Sequence, residues 1–253
     1  MLSRMKDALL AATPLLDFKH LSIERLLRER GWAALPVRER IGAVYAFVRD
    51  EIRFGYNVDD VLPASRVLAD GYGQCNTKAT LLMALLRGVG IPARLHGATI
   101  HKRLQKGVVS GVFYALAPTN IIHTWPEVFF ESEWLGLEGV ILDKAYLSGL
   151  RCMMPGEHGE FMGYGVGTTN LTSPAIDWCG KSTSIQITGV NQDFGTFDDP
   201  DTFYAAHGSN LTGFRRWLFR AWIRHVMNRR VVTIRAHHGG AMHSRHDAVA
   251  PSA

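Results

Sequence analysis

The chain has 253 residues, enough to bury a sizeable core as one large domain or two small ones. Apolar residues make up 47% and charged residues 20%, so neither wholesale disorder nor a fibrous repeat fits. Apolar runs such as Leu81–Leu86 fall far short of the ~18 residues of a membrane span.

The net charge of +5 is concentrated in one place. Residues 215–235 hold Arg215, Arg216, Arg220, Arg224, Arg229, Arg230 and Arg235 without an acid, so the rest of the chain is close to neutral. Three cysteines, Cys75, Cys152 and Cys179, form no C-x-x-C pair, which argues against a disulfide scaffold or zinc ribbon. Ala8–Leu16 is broken by Pro14 and flanked by Asp7 and Asp17, so it does not read as a secretory leader. A reducing, cytoplasmic location is the expectation.

In chain order, Ser22 is placed to cap a short helix through Ile23, Leu26 and Leu27 that stops at Gly31. Pro36 sits where the next helix begins, with Ile41, Val44, Tyr45, Val48 and Ile52 along one face. Arg53–Tyr56 reads as extended. Gly71-Tyr-Gly-Gln-Cys75 then forms a tight turn into Asn76–Val89, a helix apolar on nearly every face and so buried all round. Strands are predicted around Arg94–Ile100, Ile121–Phe130 and Trp134–Asp143, the last two joined as a hairpin at Glu131-Ser-Glu133. Clustered glycines between 156 and 167 predict a loop. Ser184–Val190 is a further predicted strand and Gly213–Asn228 a helix, and the polar composition from Ala236 predicts a disordered tail. The expected organisation is a core with N-terminal helices over 1–150, an extension wrapping it over 151–235, and a tail over 236–253.

Cys75 opens a buried helix, where unpaired N–H groups and the positive end of the dipole favour a thiolate and could face an oxyanion. A buried free cysteine is also an ordinary small hydrophobe. With period two, His123, Trp125 and Glu127 share one strand face. A nucleophile, a base and a carboxylate on the neighbouring hairpin strand follow the logic of an activated thiol.

Tyr72-Gly-Gln-Cys75 with its helix, Gly90-Ile-Pro-Ala-Arg94 and His123-x-Trp125-x-Glu127 together resemble the transglutaminase-like superfamily, over roughly Ile41–Asp143. The resemblance implies an α+β fold: a papain-like core in which helices pack on an antiparallel sheet. It also implies a triad of Cys75, His123 and an acid four positions after a tryptophan. Here that spacing selects Glu138 after Trp134, where the family usually has aspartate, with Asp143 as the competing candidate. Asn76 stands where the animal cross-linking enzymes have tryptophan, and their oxyanion tryptophan has no clear counterpart.

The implied activity is that of a thiol enzyme acting on peptide or protein amide bonds through a thioester, as hydrolase or acyltransferase, with no cofactor and no metal. The alternative is a non-catalytic binding module on the same fold. Gln74 either offers its amide near the oxyanion or turns outward, and Lys78, unfavourable to the dipole in the helix's first turn, either favours an adjacent anion or is a solvated side chain. His96 and His101 read as surface or loop histidines, and the loop with Lys102, Arg103 and Lys106 as solvated or edging a cleft. Pro126 points to an edge strand or a bulge. Arg216, Arg220 and Arg224 form a stripe opposite Leu218, Phe219, Trp222 and Val226. That pattern fits a helix packed on the body through its apolar side, or one lying on an anionic membrane; no motif indicates nucleic acid.

Overall fold

A computed structural model describes residues 8–246. Helix α1 (Leu21–Arg30) starts one residue before Ser22, with the His20 ring accepting from the Ser22 N–H, and ends at Gly31 in the left-handed conformation. Helix α2 (Val37–Asp50) starts after Pro36, and the five apolar side chains of its predicted face are all buried. Strand β1 (Arg53–Phe54) pairs in parallel with β2 (Tyr72–Gly73), on either side of α3 (Ala64–Asp70). Helix α4 (Cys75–Gly88) then runs through the middle of the molecule, buried from Cys75 to Arg87.

The main sheet is four-stranded and antiparallel, in the order β5-β4-β3-β8. It comprises β3 (Ala93–His101), β4 (Asn120–Phe130), β5 (Glu133–Gly136) and β8 (Val190–Phe197). Helix α4 packs on it, with α1, α2 and α3 around the helix. The architecture is α+β, as expected.

Several expectations need correction. β5 stops at Gly136, where the Gly136 N–H donates to Ser182 Oγ and its carbonyl accepts from the Thr183 N–H; a short 3₁₀ turn over Glu138–Val140 follows. β4 is an interior strand, not an edge. Pro126 is tolerated because its missing N–H lies on the β5 side, where that strand leaves the ladder: the Pro126 carbonyl already accepts from Leu137 beyond its end. The glycine-rich stretch holds a small hairpin, β6 (Phe161–Gly163) with β7 (Val166–Thr168). The late strand is Val190–Phe197 rather than Ser184–Val190, and it pairs with β3 as a sheet edge.

Between β3 and β4 lies the short helix α5 (Gly111–Leu116), and α6 (Lys144–Met153) follows the 3₁₀ turn. After β8 come α7 (Pro200–His207), α8 (Gly213–Leu218), a π-helical turn (Phe219–Ile223) and α9 (Arg224–His246). The predicted disordered tail is therefore helical through His246, and residues 247–253 lie outside the described residues. No described helix is long and apolar enough to cross a membrane.

Candidate active site

Gly73 sets the entry to α4. A Cβ there would sit 2.6 Å from Thr77 Oγ1 and 2.9 Å from Lys78 Cγ, so only glycine lets the chain pass this close to the first helical turn. Gln74 is the N-cap, its N–H donating to Thr77 Oγ1 at 3.1 Å. Its side chain points inward: the amide donates to Asp60 Oδ1 at 3.1 Å and its carbonyl accepts from the Asn57 N–H at 2.9 Å.

Asn76 ties the helix to the histidine strand. Its Nδ2 donates to Asp60 Oδ1 at 3.0 Å and to the Ile122 carbonyl at 3.1 Å, while Thr124 Oγ1 donates to its Oδ1 at 3.1 Å. The same Oδ1 accepts from the Cys75 thiol at 3.6 Å. Sequence reasoning weighed Asn76 only as a departure from a family pattern and missed this role. It missed Asp60 too, whose other oxygen accepts from Asn210 at 2.8 Å across 150 residues of chain.

Cys75 is buried, and burial pushes its thiol well above the ordinary range, with the Asp60 charge adding to the effect. Backbone N–H groups of Asn76 and Thr124 point at the sulfur and oppose the shift without overcoming it. Burial therefore works against the thiolate that the helix terminus favours.

His123 is fully buried on β4, paired with Ala98 of β3. Its Nε2 lies 3.2 Å from Glu138 Oε1, near enough for ion-pair attraction but out of line for a hydrogen bond; among the described residues Nδ1 has no hydrogen-bond partner either. Glu138 is equally buried and is fixed by backbone N–H donors, from Ile185 and, at 2.9 Å, from Gln186. The 3₁₀ turn after β5 brings this carboxylate to the imidazole. Asp143 lies elsewhere, capping α6 through the Tyr146 N–H at 2.8 Å and pairing with Arg235 at 2.6 Å.

Beyond His123 on the same face, Trp125 tilts against its ring and stacks on His96 at 4.3 Å between centroids. His96 is not a loop histidine. Its ring nitrogens lie 2.8 Å from Glu127 and 2.8 Å from Asp193; burial alone would lower its pKa, but these two carboxylates raise it. His101 caps the 3₁₀ turn Lys102–Gln105 by accepting from the Arg103 N–H, and Lys102 donates to the Tyr114 and Ala117 carbonyls.

Lys78 also departs from expectation. It is completely buried, its ammonium donating to the Arg49 and Ile141 carbonyls at 3.0 Å each, and burial pushes it down to about 7. Two arginines of the stripe reach a buried carboxylate while staying partly exposed: Arg216 and Arg220 both donate to Asp59, and Arg224 donates to the Arg220 carbonyl of its own helix. Burial would raise Asp59, yet the two guanidiniums hold it below the usual carboxylate value. Trp222 and Val226, expected on the packed side, remain exposed.

Cys75 opens into a cavity of about 270 Å³, bounded by the loop of Tyr56–Asp60, by α5 and by α8 with its π-helical turn. No cluster of three or more His, Cys, Asp or Glu side chains among the described residues could hold a metal ion.

Residues 26–138 match the family model of the Transglutaminase-like superfamily. That segment is similar to a transglutaminase-like core. It contains Cys75, His123 and Glu138, so the resemblance read from the three motifs holds over it. A comparison with curated proteins found no match. Among solved structures, the chain resembles a "putative cysteine protease" from Cytophaga hutchinsonii, at 13% identity with a TM-score of 0.44, covering 76% of this chain and 47% of that one. It also resembles red sea bream transglutaminase, at 16% identity with a TM-score of 0.29, covering 53% of this chain and 25% of that one. The chain thus spans half or less of either protein, and neither likeness is close enough to bear on the chemistry.

Proposed function

We propose that the protein is a thiol enzyme that cleaves or transfers amide bonds through a thioester on Cys75, with His123 as base and Glu138 as its orienting carboxylate. The observation that carries this reading is the buried Glu138–His123 approach of 3.2 Å, in a transglutaminase-like core whose Cys75 opens into a cavity. A buried carboxylate needs compensation, and here two backbone amides and an imidazole supply it.

Burial favours the thiol over the thiolate, so in this reading His123 takes the proton as the sulfur attacks. Sγ adds to the carbonyl carbon, the C–N bond breaks, and the amine departs with the proton held by His123. Water or a second amine then attacks the thioester, gives its proton to His123, and the proton returns to the sulfur as the acyl group leaves.

The test uses p-nitrophenyl acetate as acyl donor, with nitrophenolate release and the mass of the acylated Cys75 peptide as readouts. Wild type forms the adduct. His123→Ala slows it by a factor of about 10²–10⁴, and Glu138→Gln slows it less. Asp143→Asn leaves the rate near wild type while lowering stability, because Arg235 loses its partner. An adduct that forms equally fast without His123 would sink the reading.

A further inference from the structure

The cavity beside Cys75 has a polar wall and an apolar wall, and the polar wall is already spent. Asp60 accepts from Gln74, Asn76 and Asn210, and Asp59 from Arg216 and Arg220. Gln105 accepts from the Tyr56 hydroxyl at 2.6 Å. These side chains serve one another, which leaves few of their groups to receive a polar substrate. The remaining wall is aliphatic and aromatic, including Val109, Phe113, Ile122, Leu211, Phe219 and Ile223.

The rim has the same character. Helices α5 and α8 both contribute to the cavity and neither has a buried residue. Leu116 is 48% exposed and Phe214 72% exposed while both line the cavity, and Trp217, stacked on Phe214, is 58% exposed. Apolar groups held at the mouth of an apolar cavity gain free energy when an apolar ligand covers them. The volume of about 270 Å³ exceeds the ~150 Å³ that accommodates a benzene ring in a dry cavity, so it has room for a chain of several carbons.

We propose that this cavity binds the aliphatic chain of an acyl donor, so that the group passed to Cys75 is a medium-chain acyl group rather than a polar side-chain amide. The position of the reacting carbonyl rests on the reading of Cys75 as nucleophile; the binding of the chain does not. In the covalent step Sγ bonds to the carbonyl carbon of an N-acyl amide and the C–N bond breaks. The amine leaves with the thiol proton, and water releases the fatty acid.

The experiment measures binding first, on full-length Cys75→Ala protein, which cannot be acylated at that position. A dansyl-labelled fatty acid reports occupancy, displaced by straight-chain carboxylates of six, eight and ten carbons. Each added methylene is expected to tighten binding about fourfold until the cavity is filled. Phe214→Glu, at an exposed position that leaves the fold intact, is expected to weaken the ten-carbon ligand at least tenfold and the six-carbon ligand less. No binding, or an affinity that does not change with chain length, overturns the proposal. Wild-type protein is then acylated with p-nitrophenyl acetate and with the octanoate ester. A preference for octanoate that Phe214→Glu removes supports the proposal, and acylation with no chain preference overturns it while leaving the nucleophile reading standing. Chain-dependent binding with no acylation of Cys75 supports the cavity's ligand class and sinks the nucleophile reading instead.

Discussion

Lys78 shows what a single buried charge does to the behaviour of the whole protein. Its ammonium donates to two backbone carbonyls, but these bonds and the charges of Asp143 and Asp50 only partly offset the loss of water, and burial takes its pKa from the ordinary 10.5 to about 7. Between those values the unfolded chain holds a proton that the folded chain has released. Stability therefore rises with pH through this window. From pH 7 to pH 9 the gain is about 2 kcal/mol, since the unfolded lysine stays charged throughout. Above about pH 9 Cys75 works the other way, because its buried thiol keeps a proton that the unfolded chain loses. Urea unfolding midpoints at pH 7 and pH 9 test this: wild type should gain, and Lys78→Met should remove the slope whatever its own stability. Equal slopes in the two proteins would show that Lys78 is not the titrating group. Sequence could not reveal this residue. A lysine in the polar first turn of a helix reads as solvated, and the carbonyls that receive the ammonium come from 29 and 63 residues away.

Elements were legible where burial and turn chemistry are written locally, and obscure where they are not. Helix α4 announces itself because a run apolar on every face has nowhere to go but the centre. The β4–β5 hairpin is equally plain, since two strand-like runs flank a minimal turn. β8 was misplaced because it lies half-exposed at the sheet edge and its sequence, VNQDFGTF, lacks an apolar alternation. The 3₁₀ turn that carries Glu138 was read as more strand, because the groups that end β5, Ser182 and Thr183, arrive from more than forty residues downstream. Spacing still selected Glu138, and register played no part in where it lies. The hairpin turn also holds a correctable strain. Glu131 and Ser132 take φ values of 48° and 72°, the left-handed pair of a type I′ turn, which suits Asn-Gly far better. Glu131→Asn with Ser132→Gly should stabilise the protein by about 0.5–1.5 kcal/mol, a rise in Tm of roughly 1–5 °C for a chain of this size. Calorimetry checks it. A lower Tm would mean that the Glu131 or Ser132 side chain contributes something the turn geometry does not show.

At the scale of the molecule, the segment beyond residue 150 completes the core. It supplies β8 to the sheet and the Ile185 and Gln186 amides that hold Glu138. It also supplies Asn210 and the two arginines that fix Asp60 and Asp59. Further on, Asn228 pairs with both backbone groups of Tyr56, and Arg235 joins Asp143 to the Phe54 carbonyl. Helices α6 and α9 approach so closely that a Cβ on Gly149 would fall 2.1 Å from the Ile234 carbonyl oxygen. None of these contacts has a local sequence signature, since each joins residues far apart in the chain. They make a definite claim about truncation. A chain ending at residue 150 leaves β3 as a raw edge, strips the cover from Tyr146 and Leu150, and leaves Glu138 buried without its amide donors. It should show no cooperative unfolding transition by circular dichroism. A chain ending at Ala236 keeps Met227, Val231, Ile234 and Arg235, which are buried or paired in α9, and should unfold cooperatively with a Tm close to that of the full chain. If the shorter chain folded cooperatively and still acylated at Cys75, the core would be self-sufficient. Glu138 would then need a source of compensation other than the Ile185 and Gln186 amides.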